Sequence, residues 1–373
     1  MNSRKPQLSK VLAVIAIALG SAPLPADEWP TKRDPRLPRE NLLVYRDASG
    51  AIRPVKSPTD WRQRRANTLE AMQAVMGRLP GKSKRGDLDV KVEEESDCGS
   101  YVRRLITYAS EPGSRTPAYL LIPKKLLQVN GAKAPGILCL HPTDNKIGHK
   151  VVVGLGGRPN RQYAQELAER GFVTLAPSYP LLASYQPDVL GLGHKSGTMK
   201  AIWDNIRGVD LLESLPYVKK GGIGAIGHSL GGHNSVYTAV FDERIKAVVS
   251  SCGLDAYPDY YGGNEKRWFP EQGWCQLRYM PKLADYRGRL REIPFDFHEM
   301  IAALAPRHVF ISAPLQDSNF KWQSVDKIAA AAGTIYELHG HKDRLRVEHP
   351  DCPHDFPVEM REIAYELFED TLK

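Results

Sequence analysis

The sequence predicts an α/β fold: a mostly parallel sheet with helices on both faces. Two observations carry this. From residue 136 on, short apolar runs alternate with amphipathic segments of helical period, and the apolar runs are too continuous to be strands with one wetted face. Ahead of them, three strand-like runs separated by Gly and Pro read as an antiparallel edge.

The elements follow in order. Residues 1–26 have a basic start (Arg4, Lys5, Lys10), an apolar run Val11–Leu19 too short to span a bilayer, and small residues and prolines ending at Ala26. They read as an export signal cleaved before Asp27. Residues 27–84 form an arm and a helix: an extended Pro- and charge-rich stretch to about 56, then a helix from Trp61 to about Gly77, capped by Thr59 or Asp60, with Leu69, Met72, Val75 and Met76 on one side. Residues 85–373 form the main domain. Its edge strands are Leu88–Glu94, Tyr101–Tyr108 and Ala118–Ile122. Strands then fall at Gly136–Leu140, Phe172–Ala176, Ile223–Ile226, Ile245–Ser250, Val309–Ser312 and Thr334–Leu338. Helices fall at Gln162–Arg170, Thr198–Leu215, Leu230–Val240, Ser324–Ala332 and Val358–Leu372. Residues 254–296 interrupt the alternation.

Charge and cysteines limit the function classes. The net charge of +8 becomes +5 once the three basic residues of the signal are gone, and no Lys/Arg-rich run of nucleic-acid type is present. No nucleic-acid partner is expected. Nor is a stable membrane association after cleavage, since no later segment is long and apolar enough. The expected location is periplasmic or secreted. Of five cysteines, Cys139 and Cys252 lie in apolar strand-like runs and read as small core residues. Any bridge would join two of Cys98, Cys275 and Cys352, and spacing does not say which.

The most specific signal is Gly227-His228-Ser229-Leu230-Gly231, a G-x-S-x-G run followed by Gly232. A strand leads in and a helix leads out, the setting a nucleophile elbow requires. A serine on so sharp a turn is strained, and its neighbours must be glycine. The turn raises the Ser229 hydroxyl and aims the Leu230 N–H at the reacting centre. Serine needs a base, and with this elbow the partners follow in the order Ser, acid, His. His354, in Cys352-Pro353-His354-Asp355-Phe356 before the last helix, is the favoured base; His339, His341 and His349 are rivals, with His349 the second choice. Asp317, in the loop after Val309–Ser312, is the favoured acid and Asp351 its rival. Asp355 reads as a cap of the last helix. A second oxyanion donor is expected from His141-Pro142-Thr143-Asp144; Pro142 has no N–H, which leaves Thr143, with Asp144 in reserve. His141 and His228 are candidates to frame the pocket, with a packed, hydrogen-bonded role as the commoner alternative for each.

With these residues in place, the chain resembles the dienelactone hydrolase and acetyl xylan esterase-like branch of the α/β-hydrolase superfamily. The matching segments are His141-Pro142-Thr143-Asp144, Trp203-Asp204, Gly227 to Gly232, Ala305-Pro306-Arg307, Asp317 and His354-Asp355-Phe356. The resemblance implies a Ser229–Asp317–His354 triad and ester hydrolysis through an acyl-enzyme, with no cofactor. The nucleophile is serine where dienelactone hydrolase itself has cysteine. Export suggests a small-molecule or carbohydrate ester as substrate, with carbohydrate deacetylation as the leading guess. In the 254–296 insertion, placed over the active site, Tyr261 and Trp274 are candidate sugar-stacking rings, although a small aromatic core is the blander role for most aromatics there. Arg278 and Arg287 read first as solvated surface charges, with carboxylate binding as a second role. Two other readings compete: a secreted peptidase of prolyl-oligopeptidase type, for which too little chain precedes residue 134 to build a propeller, and a metal-binding or non-catalytic protein using His349, Asp351, Cys352, His354 and Asp355, whose spacing is irregular for a metal site.

Overall fold

The computed structural model describes residues 36–269 and 273–373. The export signal expected at 1–26 and the start of the arm lie outside these residues. A small hairpin, β1 (Val44–Arg46) and β2 (Ile52–Pro54), precedes α1 (Pro58–Met76). Then come β3 (Lys91–Asp97), β4 (Tyr101–Glu111), β5 (Ser114–Pro123), α2 (Lys124–Gln128), β6 (Ala134–Leu140), α3 (Tyr163–Glu169), β7 (Val173–Pro177), α4 (Gly197–Ser214), β8 (Val218–His228), α5 (Leu230–Phe241) and β9 (Ile245–Ser251). After the insertion follow α6 (Phe297–Ala302), β10 (His308–Ser312), α7 (Trp322–Leu338), β11 (Leu345–Glu348) and α8 (Val358–Leu372).

Nine strands form one sheet in the order β11-β10-β9-β8-β6-β7-β5-β4-β3. From β7 to β11 all pairs are parallel, and β3, β4 and β5 add an antiparallel margin. Alternation along each strand divides the core. Leu138 and Leu140 of β6 face the side covered by α4, α5 and α7, while Ile137 and Cys139 face α3 and α8. Chain order reverses at β6, with β7 on one side and β8 on the other. In open parallel sheets the carboxyl edge at such a switch point is where ligands bind.

Three sequence expectations need correction. Thr334–Leu338 is not a strand; it completes α7, whose Val325, Ile328, Ala332, Ile335 and Tyr336 are buried at helical spacing. The last strand is β11, an edge strand whose half-buried residues gave a weak apolar signal. The cap of α1 is Ser57, whose hydroxyl accepts from the Asp60 N–H (3.2 Å), while Asp60 accepts from the Lys56 N–H (3.0 Å), with Pro58 at the helix start. Asp355 does not cap α8, which starts behind Pro357 without a side-chain cap.

The described part of the arm lies on the domain through ion pairs. Arg36 reaches both oxygens of Glu299 (2.8 and 3.0 Å), Arg39 pairs with Asp296, and Arg64 of α1 bonds Glu299 (3.2 Å). Asp296 and Glu299 also close a capping box on α6. All five cysteines are free, so no bridge joins Cys98, Cys275 or Cys352.

Candidate active site

Ser229 sits between β8 and α5 with φ 55° and ψ −120°, a conformation outside the ordinary allowed regions for a residue with a Cβ. The strain is held by close packing. A Cβ on Gly227 would lie 2.1 Å from the Gly231 carbonyl, one on Gly231 1.9 Å from the Leu140 carbonyl oxygen, and one on Gly232 2.7 Å from the Gly253 Cα. The elbow therefore touches the ends of β6 and β9 backbone to backbone. The Ser229 N–H donates to Ser251 O (2.8 Å) and the His228 N–H to the Tyr163 hydroxyl (3.3 Å), which itself donates to Leu140 O.

His354 and Asp317 are brought together. The His354 Nδ1–H donates to Asp317 Oδ2 (2.8 Å). Asp317 Oδ1 accepts the N–H groups of Asn319 (2.7 Å) and Phe320 (3.3 Å). Asp317 is buried, and His354 opens into the same cavity as Ser229. The rivals point elsewhere. His349 bonds Ala313 O (2.7 Å) and Asp326 (2.9 Å), and Asp351 accepts from Gln316 (2.7 Å). His339 and His341 lie between α7 and the start of β11, the amino edge of the sheet, away from the carboxyl edge that holds Ser229.

The cavity measures about 400 Å³ and is lined by Thr143, Asn145, Lys146, Arg158, Arg161, His228, Ser229 and His354, among others. Thr143 is exposed, and no described residue accepts its N–H. Leu230 opens α5, so its N–H lacks an intrahelical acceptor. Of the two expected framing histidines, only His228 lines the cavity. Its Nδ1 meets the Ser251 hydroxyl (3.0 Å) and its ring lies 4.8 Å from that of His354. Burial, reinforced by Arg161 and His354, holds its pKa well below the usual histidine value, so it stays neutral. His141 is buried beneath the loop: Nδ1–H donates to Pro142 O (2.7 Å) and Nε2 accepts the Tyr179 N–H (3.0 Å). Burial lowers its pKa to about 4. It shapes the Thr143 loop from below rather than touching the cavity.

Tyr261 and Trp274 do not line the cavity either. Trp274 is buried against His233, Tyr260 and Tyr279, and Tyr261 lies under the Arg267 guanidinium. Tyr257, Trp268 and Tyr286 are also buried, so the insertion's aromatics mostly form its own core. Arg287 stacks on Phe269. The insertion reaches the site at one edge, where the Tyr279 hydroxyl lies 3.4 Å from that of Thr143 and Arg278 donates to Asn145 (2.8 Å).

Two groups escaped sequence reasoning. Arg161 pairs with Asp355 and donates to His354 O (3.2 Å), and Asn160 donates to Asp355 (2.7 Å), fixing the turn that carries His354. Cys252, just past β9 with φ 46°, directs its thiol to Asp355 O (3.1 Å). Its sulfur and donor atoms of Asp317 and His354 lie within 4.8 Å of one another, the one metal-capable group among the described residues. Burial, with Asp317 adding to it, raises the Cys252 pKa and disfavours the thiolate a metal would need. The cluster suggested by His349, Asp351, Cys352, His354 and Asp355 disperses: its two histidines and two aspartates serve Asp326, Asp317, Gln316 and Arg161 separately.

Comparison with known proteins adds the following. Residues 187–340 match a family model described as glucuronyl esterase of fungi, a stretch that includes Ser229 and Asp317 and ends before His354. YtaP of Bacillus subtilis (strain 168), whose name assigns it to the hydrolases without a substrate, is 23% identical over 303 residues, 76% of this chain and 91% of YtaP. The 4-O-methyl-glucuronoyl methylesterase of Hypocrea jecorina (strain QM6a) is 26% identical over 176 residues, 42% of this chain and 36% of that protein. A glucuronoyl esterase from Solibacter usitatus shares the fold with a TM-score of 0.68 at 19% identity, covering 90% of this chain and 98% of that one.

Proposed function

We propose that the chain, with its α/β-hydrolase fold, is a carboxylic ester hydrolase of the esterase branch whose substrates are esters with a sugar acid of the glucuronoyl kind as their acyl part. One observation carries this reading: the segment matching the glucuronyl esterase family contains the strained Ser229 elbow, and that elbow opens into the cavity that His354 enters with Asp317 behind it.

In this reading Ser229 Oγ attacks the ester carbonyl while His354 Nε2 takes its proton. Asp317 keeps the imidazole proton on Nδ1 and stabilises the imidazolium. The Leu230 and Thr143 N–H groups hold the oxyanion of the tetrahedral intermediate. Collapse expels the alcohol, protonated by His354, and leaves an acyl-Ser229 ester. Water, deprotonated by the same imidazole, attacks that ester and releases the acid. His228 supports the pocket as a neutral neighbour that does not compete for the proton. The basic-then-apolar start of the chain supports export, which fits a substrate outside the cell.

The test compares methyl glucuronate, an acetylated xylo-oligosaccharide and p-nitrophenyl acetate, with wild type and Ser229→Ala. We expect methanol release from methyl glucuronate at the highest kcat/KM of the natural-type esters, and loss of all three activities in Ser229→Ala. Equal rates in the two proteins would end the assignment of Ser229. Acetate release outrunning methanol release would replace the sugar-acid reading with deacetylation.

A further inference from the structure

Three cations from three separate segments meet at the mouth of the Ser229 cavity: Lys146 in the loop after β6, Arg158 in the stretch before α3, and Arg278 in the insertion. Lys146 and Arg158 line the cavity, and Arg278 is held at its edge through Asn145, another lining residue (2.8 Å). Arg278 is further fixed by Gln276 (2.8 Å) and by Tyr279, whose ring centroid lies 5.7 Å from the guanidinium carbon. Among the described residues, none of the three has a carboxylate partner. This sets them apart from Arg161 in the same wall, which Asp355 neutralises. Among the described residues Asp144 is the one acid lining the cavity, and its Oδ1 accepts the N–H groups of Lys146 and Ile147 (2.8 Å each). Three cations against one acid leave the mouth with excess positive charge beside a nucleophile; among the described residues the Arg158 fork and the Lys146 ammonium have no side-chain partner, and Arg278, held through Nε and Nη1, keeps Nη2 for an anion.

We propose that this rim is an anion subsite for a free carboxylate on a sugar residue next to the one whose ester is cleaved, so that the preferred substrate is a partly esterified polyuronate. This rests on the sugar-acid reading above and deepens it. That reading concerns the esterified carboxyl at Ser229; the subsite concerns an un-esterified neighbour.

Binding to Ser229→Ala separates the subsite from catalysis. The probes are trigalacturonate and its triamide, matched in shape and differing in charge, measured by titration calorimetry. Exposed ion pairs are individually weak, so three together should make the acid bind about three- to tenfold more tightly at low ionic strength. The gap should shrink to about twofold or less at roughly 0.5 M salt, where the Debye length is short. It should vanish when K146Q, R158Q and R278Q are combined, with triamide binding as the control that the pocket is intact. A triamide that binds wild-type surface charges as tightly as the acid overturns the subsite. So does a preference that survives the triple substitution. Methyl glucuronate turnover reports separately on the sugar-acid reading, so each can fall without the other.

Discussion

Asp317→Asn changes one charge and almost no volume, and the surrounding hydrogen bonds dictate how the new amide must sit. Oδ1 of Asp317 accepts two backbone N–H groups, from Asn319 and Phe320. An amide NH₂ cannot face two donors, so the asparagine carbonyl must take that position. Its NH₂ then occupies the place of Oδ2, 2.8 Å from His354 Nδ1. A donor there forces Nδ1 to accept, which moves the imidazole proton to Nε2, the nitrogen that should receive the proton of Ser229. The base is turned into a donor with the fold untouched. A triad acid that fails in this way costs about 10³- to 10⁴-fold in kcat, or about 4–5.5 kcal/mol of barrier. The assay is p-nitrophenyl acetate hydrolysis, with KM and the circular dichroism spectrum followed beside kcat; both should stay near wild type. Asp351→Asn is the matched control, expected within about twofold of wild type because its partner is Gln316 at the surface. An Asp317→Asn enzyme within about tenfold of wild type would refute the reasoning.

Three further outcomes follow. Gly231→Ala places a Cβ 1.9 Å from the Leu140 oxygen; relief needs a shift of about 1 Å between elbow and Thr143 loop, so kcat should fall by roughly 10²-fold, and a folded variant with unchanged kcat would contradict it. Arg161→Met leaves Asp355 without its cation and His354 O without its donor; kcat should drop by about tenfold or more as the base loses its orientation, with partial recovery in Arg161→Lys, and equal kcat in all three proteins would show that the turn holds itself. Burial lowers the His149 pKa to about 3, below the unfolded value of about 6.5, so the unfolded chain binds the extra proton and stability is lost as pH falls from about 6.5 towards 3. Urea unfolding should therefore show His149→Leu losing about 2 kcal/mol less than wild type between pH 7 and 5; identical losses would refute the assignment.

What the sequence made legible was what local sterics and chain order control. The elbow could be read because a strained serine demands glycine two residues to either side, and those contacts involve backbone that any strand-turn-helix of this kind brings close. That His354 and Asp317 would meet followed from order along parallel strands. Thr334–Leu338 failed because five apolar-rich residues suit a strand or the last turn of a helix equally, and only burial at Ile335 and Tyr336, continuing the face begun at Val325, decides. Asp355 was misread because its partners Asn160 and Arg161 lie almost two hundred residues away. Tyr261 and Trp274 failed for a general reason: an aromatic ring stacks on a sugar or on another ring with the same surface, and composition does not say which. His141 was correctly placed on its loop, yet its side chain turns inward to a backbone amide that no local pattern announces.

The inward-turned rings of the insertion also bear on how substrate arrives. Trp268, Trp274 and Tyr286 are anchored in the interior, so the wall they support stands finished before anything binds, and swinging it aside would expose those rings to water at a cost of several kcal/mol. Entry then costs little reorganisation, and approach of ligand should follow a single kinetic phase with no closing step.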